Sequence, residues 1–363
     1  MTNTLGAYNP IFYANEALIH LEKALGMAGR VHRGYDAERQ SVNKGETIRI
    51  RKPAVLTAQD APGSAEDLAT VTEDISMDYY REVRIGLTDK DMALSDEAII
   101  TEHIRPAAYA LANDIDTKLN ELYADVPWYD DAQGSSSLLD LTAPYQTLFD
   151  NAVPMMPGYL HFEVGGTQQA YFQQLSLFND ASVRGTPGPT ETTRAGSLGT
   201  AMGFEVFGNQ NVQTHTKGTL NVATTALVGA HAADATSVTM DATTLTGTVT
   251  EGDTFVIAGN SLTVPITPKL AAAYDNNAVV TLSLDNHTAN LAFHRNAFAF
   301  ASAPLPMKLQ NELGAKATTL IDPITGLSRR SRLFYDGDNT YMVLDILYGV
   351  KTLDPNLATR LRG

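Results

Sequence analysis

The sequence predicts an α+β protein built from several domains, and three stretches carry that reading. Leu94–Tyr123 has the periodicity of one long helix, Lys44–Leu87 holds two strand patterns around a soft tip, and Lys217–Ala292 is a threonine-rich run of short strands. At 363 residues the chain has room for about two or three domains, each with its own core.

The helix rests on Ile100, Ile104, Ala108, Leu111, Ile115, Leu119 and Leu122, which recur every three or four residues and so share one face. Ser95 is placed to cap it, and Asp96 and Glu97 put negative charge on the first turn, where the helix dipole favours it. Pro106 lacks a backbone donor, so the pattern predicts either a kink or a helix that begins near Arg105. Ala107, Ala108, Ala110 and Ala112 leave a slim face for close approach. From Leu94 to Tyr123 such a helix is about 45 Å long, a length that suits a brace better than an active-site wall.

Ahead of it, Asn9–Pro10 opens a first helix, whose seam of Ile11, Ala14, Leu18, Leu21, Leu25 and Ala28 ends at Gly26 and Gly29. That seam suits docking on its own domain or presentation to a partner. Ile48 and Ile50 then alternate with Arg49 and Arg51, giving a strand with one apolar and one basic face. Ile75, Met77, Tyr79, Val83, Ile85 and Leu87 share a face of a second strand, interrupted by Arg81, which would reach about 43 Å. Pro53–Thr70 between them is too rich in Ala, Asp, Gly and Pro to form a core. The two strands make a long arm, and because an isolated hairpin is marginal in water, its support is expected on neighbouring molecules. A substrate lid is the rival reading, but no catalytic cluster accompanies it.

Beyond the helix, Leu138–Val153 reads as a helix with Leu148 and Phe149 buried, Tyr159–Val164 as a strand, Gln168–Phe178 as a helix and Phe204–Phe207 as a strand. Strand, helix and strand in this order suggest an α/β layer. Lys217–Ala292 holds 15 threonines and the turn pairs Gly252–Asp253 and Gly259–Asn260, which predicts a small inserted β-barrel or sandwich. The earlier pattern resumes at Leu291–Phe300. In the tail, two strands flank an Asp336–Gly337 turn, and the second is apolar at nearly every position, so it belongs inside a sheet covered on both faces.

Composition narrows the function by exclusion. The 41 acidic residues against 26 Lys and Arg give a net charge of −15, which argues against gripping nucleic acid. With no cysteine there is no disulfide, thiol catalysis or Cys-based zinc site, and a reducing compartment is favoured. The N-terminus lacks signal-peptide features, and no apolar run is long enough to span a membrane. Asp336, Asp338 and Asn339 lack the remaining ligands of a calcium loop, and Glu102–His103 is no zinc signature. Gly165–Gly166 could offer a helix N-terminus to an anion. Neither a nucleophile elbow nor a phosphate-binding glycine loop is present, so no enzyme, cofactor or metal is expected. The clearest basic cluster, Arg49, Arg51 and Lys52, is read as facing acidic neighbours or solvent.

Three stretches, Lys44–Pro53, Ile104–Asp116 and Asp345–Leu361, resemble in sequence and order the major coat proteins of tailed bacteriophages, most closely the P22-like type. The resemblance implies the Hong Kong 97 fold with an added β-domain. It maps residues 1–43 to an N-terminal arm, 44–88 to an extended hairpin loop and 89–126 to the spine-helix region. Residues 127–216 and 293–330 map to the axial domain, 217–292 to the insertion and 331–363 to strands returning to the peripheral domain. It further implies homo-oligomers, as hexamers and pentamers of an icosahedral shell around double-stranded DNA bound without sequence preference. A scaffolding protein, a portal protein and a decoration protein are the implied partners. The place is the virion, with assembly in the host cytoplasm and no membrane. Arg49, Arg51, Lys52, Tyr79, Arg81, Leu18 and Leu21 are the expected subunit-interface residues. An encapsulin-like compartment and a surface-layer or adhesin protein are the alternatives.

Overall fold

The computed structural model describes residues 26–33, 47–51, 72–87, 105–180, 196–220, 224–233, 235, 237–241, 246–257, 260–263, 273–283, 285–305, 316–321, 328–336 and 339–363. In chain order the elements are β1 (Thr47–Arg51), β2 (Thr72–Ser76), β3 (Tyr79–Leu87), α1 (Arg105–Asn120), β4 (Tyr129–Asp131), α2 (Leu139–Asp150), β5 (Leu160–Val164), α3 (Gly166–Gln174) and α4 (Ser176–Asn179). There follow β6 (Gly199–Ala201), β7 (Phe204–Gly208), β8 (Thr214–His215), β9 (Thr224–Ala226), β10 (Thr254–Ile257), β11 (Asn260–Thr263), β12 (Val279–Ser283) and β13 (His287–His294). The last are β14 (Phe298–Ala303), β15 (Lys316–Ile321), β16 (Ser328–Asp336), β17 (Asn339–Thr352) and β18 (Ala358–Arg362). The chain divides into two compact units: residues 1–25, 32–115 and 299–353 form one, and residues 26–31, 116–298 and 354–363 the other.

The first unit is built on β17. It pairs antiparallel with β16 on one edge and β3 on the other, within a five-stranded sheet that also holds β14 and β15. Met342 to Ile346 are all buried, as a run apolar at nearly every position requires, and the burial takes in Asp345. The expected hairpin of the tail is present, with Asp336 opposite Asn339. The arm differs from expectation. Ile75 to Leu87 is not one strand: it breaks at Met77–Asp78, so that β2 pairs β1 while β3 leaves to pair β17. Alternation alone cannot detect such a change of partner, because both halves keep the same face turned inward.

Of the stripe predicted for the long helix, Ile100 and Ile104 lie outside the described residues. Helix α1 buries Ala108, Leu111, Ile115 and Leu119 of it, with Ala107 and Ala112 of the alanine face, while Ala110 is exposed and Leu122 is half-buried beyond its end. Its last residues tighten into a 3₁₀ turn over Glu121–Asp125. Residues 94–104, including Glu102 and His103, lie outside the described residues, as do residues 1–25 with the first-helix seam up to Leu25. Ala28, the seam's last member, sits in a 3₁₀ turn, Met27–Gly29.

The second unit carries a seven-stranded sheet in the order β4-β18-β13-β5-β7-β6, with β8 pairing β13. β5 and β7 are parallel and α3 lies between them in sequence, the expected strand–helix–strand layer. Helices α2 to α4 close its core through Leu141, Leu148, Phe172 and Phe178, against Phe162, Val164, Phe204, Val206 and Leu361. Phe149, expected in this core, is 64% exposed, because it is turned about 100° round α2 from the buried Leu148. The expected helix from Gln168 to Phe178 is two, broken by extended backbone at Leu175, which lets both Phe172 and Phe178 turn inward.

The threonine-rich segment forms an antiparallel four-stranded sheet, β11-β10-β12-β9, around Leu227, Phe255, Ile257, Tyr274, Val280 and Leu282. Its neck explains how an insertion is tolerated: β8 before it and β13 after it pair directly, His215 opposite His287. Strand β13 already belongs to the larger sheet, so that sheet resumes at His287 rather than at Leu291. The tail also divides differently from expectation. Strands up to Leu353 lie in the first unit, but residues 354–363 lie in the second, where β18 pairs β13 antiparallel and β4 parallel.

Candidate assembly interface

The base of the hairpin is fixed in the first unit by small residues. Ile48, Ile75 and Met77 pack on Ala299, Ala301 and Ala303 of β14, with Leu347 and Leu353 beside them. The closest approach is at Gly349 of β17, where a Cβ would stand 2.1 Å from the backbone oxygen of Ser76. Only a residue without a side chain lets β2 lie against β17 there.

Arg49 projects from this base with its side chain 69% exposed and forms a two-point pair across the ladder with Asp74, Nε to Oδ1 at 2.8 Å and Nη2 to Oδ2 at 3.1 Å. That hydrogen bond raises the guanidinium pKa and lowers the carboxyl pKa. Of the basic cluster, Arg49 thus meets both solvent and an acid, and the acid lies on its own strand partner. Arg51 ends β1 with its backbone opposite Thr72. Lys52, Leu18 and Leu21 lie outside the described residues.

Tyr79 and Arg81 are brought together, and both turn back into their own unit. Arg81 Nε lies 3.2 Å from Asp114 Oδ2 of α1, and the Tyr348 hydroxyl donates to the same oxygen at 2.6 Å. The Tyr79 ring stacks on Tyr348 with centroids 5.2 Å apart. Burial, and then the Asp114 carboxylate, push the Tyr348 phenol pKa up, so it stays a donor. These two residues position α1 on β3 and β17.

Four residues of this unit, Asp345, Arg330, Arg332 and Tyr80, escaped sequence reasoning. Asp345 is fully buried in the middle of β17. It accepts from Arg330 Nε at 3.1 Å and Nη2 at 2.6 Å, and from the Tyr80 hydroxyl at 2.9 Å, while Arg332 Nη2 lies 3.0 Å away. A signal existed: one acid inside an apolar run must be paired, and the preceding strand supplies Arg330 and Arg332.

In the second unit the insertion's neck is held by Asp253. Its Oδ1 takes the His215 Nε2 contact at 2.9 Å, and Oδ2 accepts the Thr250 and Gly218 N–H groups at 2.7 and 3.2 Å. His215 Nδ1 meets the Tyr123 hydroxyl at 3.0 Å. Gly165, read as a possible anion site, already donates its N–H to Asn290 Oδ1 at 2.7 Å. No group of three acidic or histidine side chains fit to hold a metal occurs among the described residues, and no helix among them is long and apolar enough to cross a membrane.

No protein-family model matches the sequence, and no curated protein matches it. Solved structures do. A chain from Mycobacterium phage Che8 is 16% identical and superposes with a TM-score of 0.50, covering 93% of this chain and 90% of its own. A chain of the cyanophage P-SCSP1u capsid is 12% identical over 89% and 85%, with a TM-score of 0.46. One from the bacteriophage PhiM1 mature capsid is 11% identical over 88% and 82%, at 0.43. The likeness to the Che8 chain runs nearly end to end on both sides. With the paired sheets, the helix α1 and the hairpin base, it identifies the chain's architecture as the α+β Hong Kong 97-type capsid fold, with an inserted all-β domain.

Proposed function

We propose that this chain is the major capsid protein of a tailed bacteriophage, a non-enzymatic subunit that builds an icosahedral shell of hexamers and pentamers around double-stranded DNA. The observation that carries the reading is the likeness of fold to the Che8 chain over 93% of this chain. The acidic balance, −15, supports it, because a container must release its DNA rather than grip it. The exposed Arg49 face and the hairpin base set on β14 and β17 are suited to reach a neighbouring subunit. A scaffolding protein during assembly, a portal and a decoration protein are the proposed partners, and the virion is the proposed location.

The purified full-length chain, co-expressed with its scaffolding protein, is expected to form closed shells visible by electron microscopy. Persistent monomers under every assembly condition would overturn the reading, and shells filled with protein cargo in place of DNA in infected cells would favour a nanocompartment. Deleting residues 54–69, the segment joining the two hairpin strands, is expected to leave a folded subunit that builds no stable shell. Normal shells from that deletion would remove the hairpin from the assembly mechanism.

A further inference from the structure

Glu163 lies in β5, a strand buried at every position, and its carboxyl is fully enclosed. Its two oxygens are treated unequally. Oε1 accepts from the side-chain amides of both Asn120, at 3.2 Å, and Asn209. Oε2 is buried with no partner among the described residues, and so is Oδ1 of Asn120, the other end of the amide that serves Oε1. A carboxylate accepts at both oxygens, whereas a carboxylic acid accepts at one and donates at the other. Two donors on one side, with a stranded oxygen and a stranded amide acceptor on the other, is the pattern of a protonated acid closing a ring with an amide.

The charged groups around this carboxyl are few. Asp116 of α1, itself 3% exposed, receives the N–H groups of Gly26 at 2.6 Å and Ala28 at 3.1 Å. Arg30 binds the Gly26 carbonyl at 3.0 Å and Glu205 at 2.7 Å, and Glu205 takes His161 Nδ1 at 3.0 Å. Asp116 and Arg30 are the charged groups that act on Glu163 itself. Residues 26–31 are a short visit of the chain to the second unit, flanked on both sides by segments of the first. Met27, Ala28 and Val31 are buried there, and Asp116 is the acceptor that fixes the turn.

We propose that Glu163 is held as a neutral acid and that its proton is a latch: losing it sets a second negative charge beside Asp116 and releases the Gly26–Val31 turn. Burial, opposed by the two amides and reinforced by Asp116, pushes the Glu163 pKa up to about 7, and burial raises that of Asp116 as well. His161 is pushed down by burial and so is neutral near pH 7, leaving Arg30 as the cation that acts on the pair. The sign follows from linkage. The closed site binds the proton more tightly than the open, solvated site, so closure is fully favoured below the ordinary carboxyl value and is lost as pH rises toward about 7. Above that the dependence flattens.

The latch does not depend on the shell reading and is tested on the subunit alone. Hydrogen–deuterium exchange of the full chain, corrected for intrinsic rates, is expected to show protection of Gly26–Val31 falling about a hundredfold between about pH 5 and pH 8. In Glu163→Gln the new amide donates permanently to Asn120, so protection should stay high and flat with pH. The wild type should also show a protonated-carboxyl infrared band near neutral pH that the variant lacks. Equal pH dependence in both proteins would overturn the proposal, as would flat protection in the wild type. Absence of the band, the result expected if a cation or water occupies the site instead, would overturn it too.

Discussion

Replacing Asp345 by alanine is expected to cost about 3–5 kcal/mol of folding stability, the loss typical of one partner removed from a buried ion pair. The reason is what remains behind. Arg330 is 5% exposed and directs two nitrogens at the Asp345 carboxylate, and Arg332 stands 3.0 Å from it. Without the acid, Arg330 loses both bonds to its carboxylate and keeps the Tyr80 hydroxyl, at 3.2 Å, while Arg332 keeps Glu82 at 2.9 Å, so a buried cation loses this counter-charge. Asp345→Asn keeps the shape and one acceptor, so its loss should be smaller. Denaturant unfolding of the subunit measures both. A loss below about 1 kcal/mol for the alanine variant, the value of an exposed pair, would show that the cluster does not hold β16 and β17 together.

Gly349→Ala is expected to destabilise by about 2–3 kcal/mol, at the upper end of what overpacking costs, although it adds a single methyl group. The obstacle is the Ser76 backbone oxygen, 2.1 Å from where the carbon would sit. Main chain cannot rotate aside as a side chain can, so β2 must lift from β17 and draw Ile75 and Met77 off the alanines of β14. Gly86→Ala is the control. Its added carbon meets only the Tyr341 ring at 3.6 Å, an ordinary contact, and the variant should be neutral or stabilised by up to about 1 kcal/mol through the unfolded chain. Equal stability of the two variants would exclude Gly349 as the seat of the hairpin. If the proposed shells form, Gly349→Ala should lower their yield more than its stability loss alone explains.

Periodicity was a faithful guide wherever one element met one core. Ala108, Leu111, Ile115 and Leu119 are buried on α1, and Met342, Val343, Leu344 and Ile346 on β17, because a 3.6-residue or a nearly continuous apolar pattern has one low-energy burial. It failed where burial is shared or changes hands. Phe149 belongs to an apolar pair, Leu148–Phe149, and the sequence does not say which of the two lies at the edge of the face that α2 buries. The strand Ile75–Leu87 splits because its two halves answer to different partners, β1 and β17, while keeping the same alternation.

The residues expected at an interface follow the same division. That Arg49 would meet an acid was legible from charge alone; that the acid is Asp74, on the adjacent strand, is a matter of register. Tyr79 and Arg81 carry side chains suited to an interface, yet Asp114 and Tyr348 claim them within the subunit. Local period and composition suffice for the elements that bury one continuous face, for the threonine-rich β segment and for the acidic balance. The fold alone revealed the pairing of β8 with β13 that closes the insertion's neck, the seat at Gly349 and the proton proposed on Glu163. Each of these depends on atoms brought together from distant parts of the chain, and no local pattern encodes such a distance.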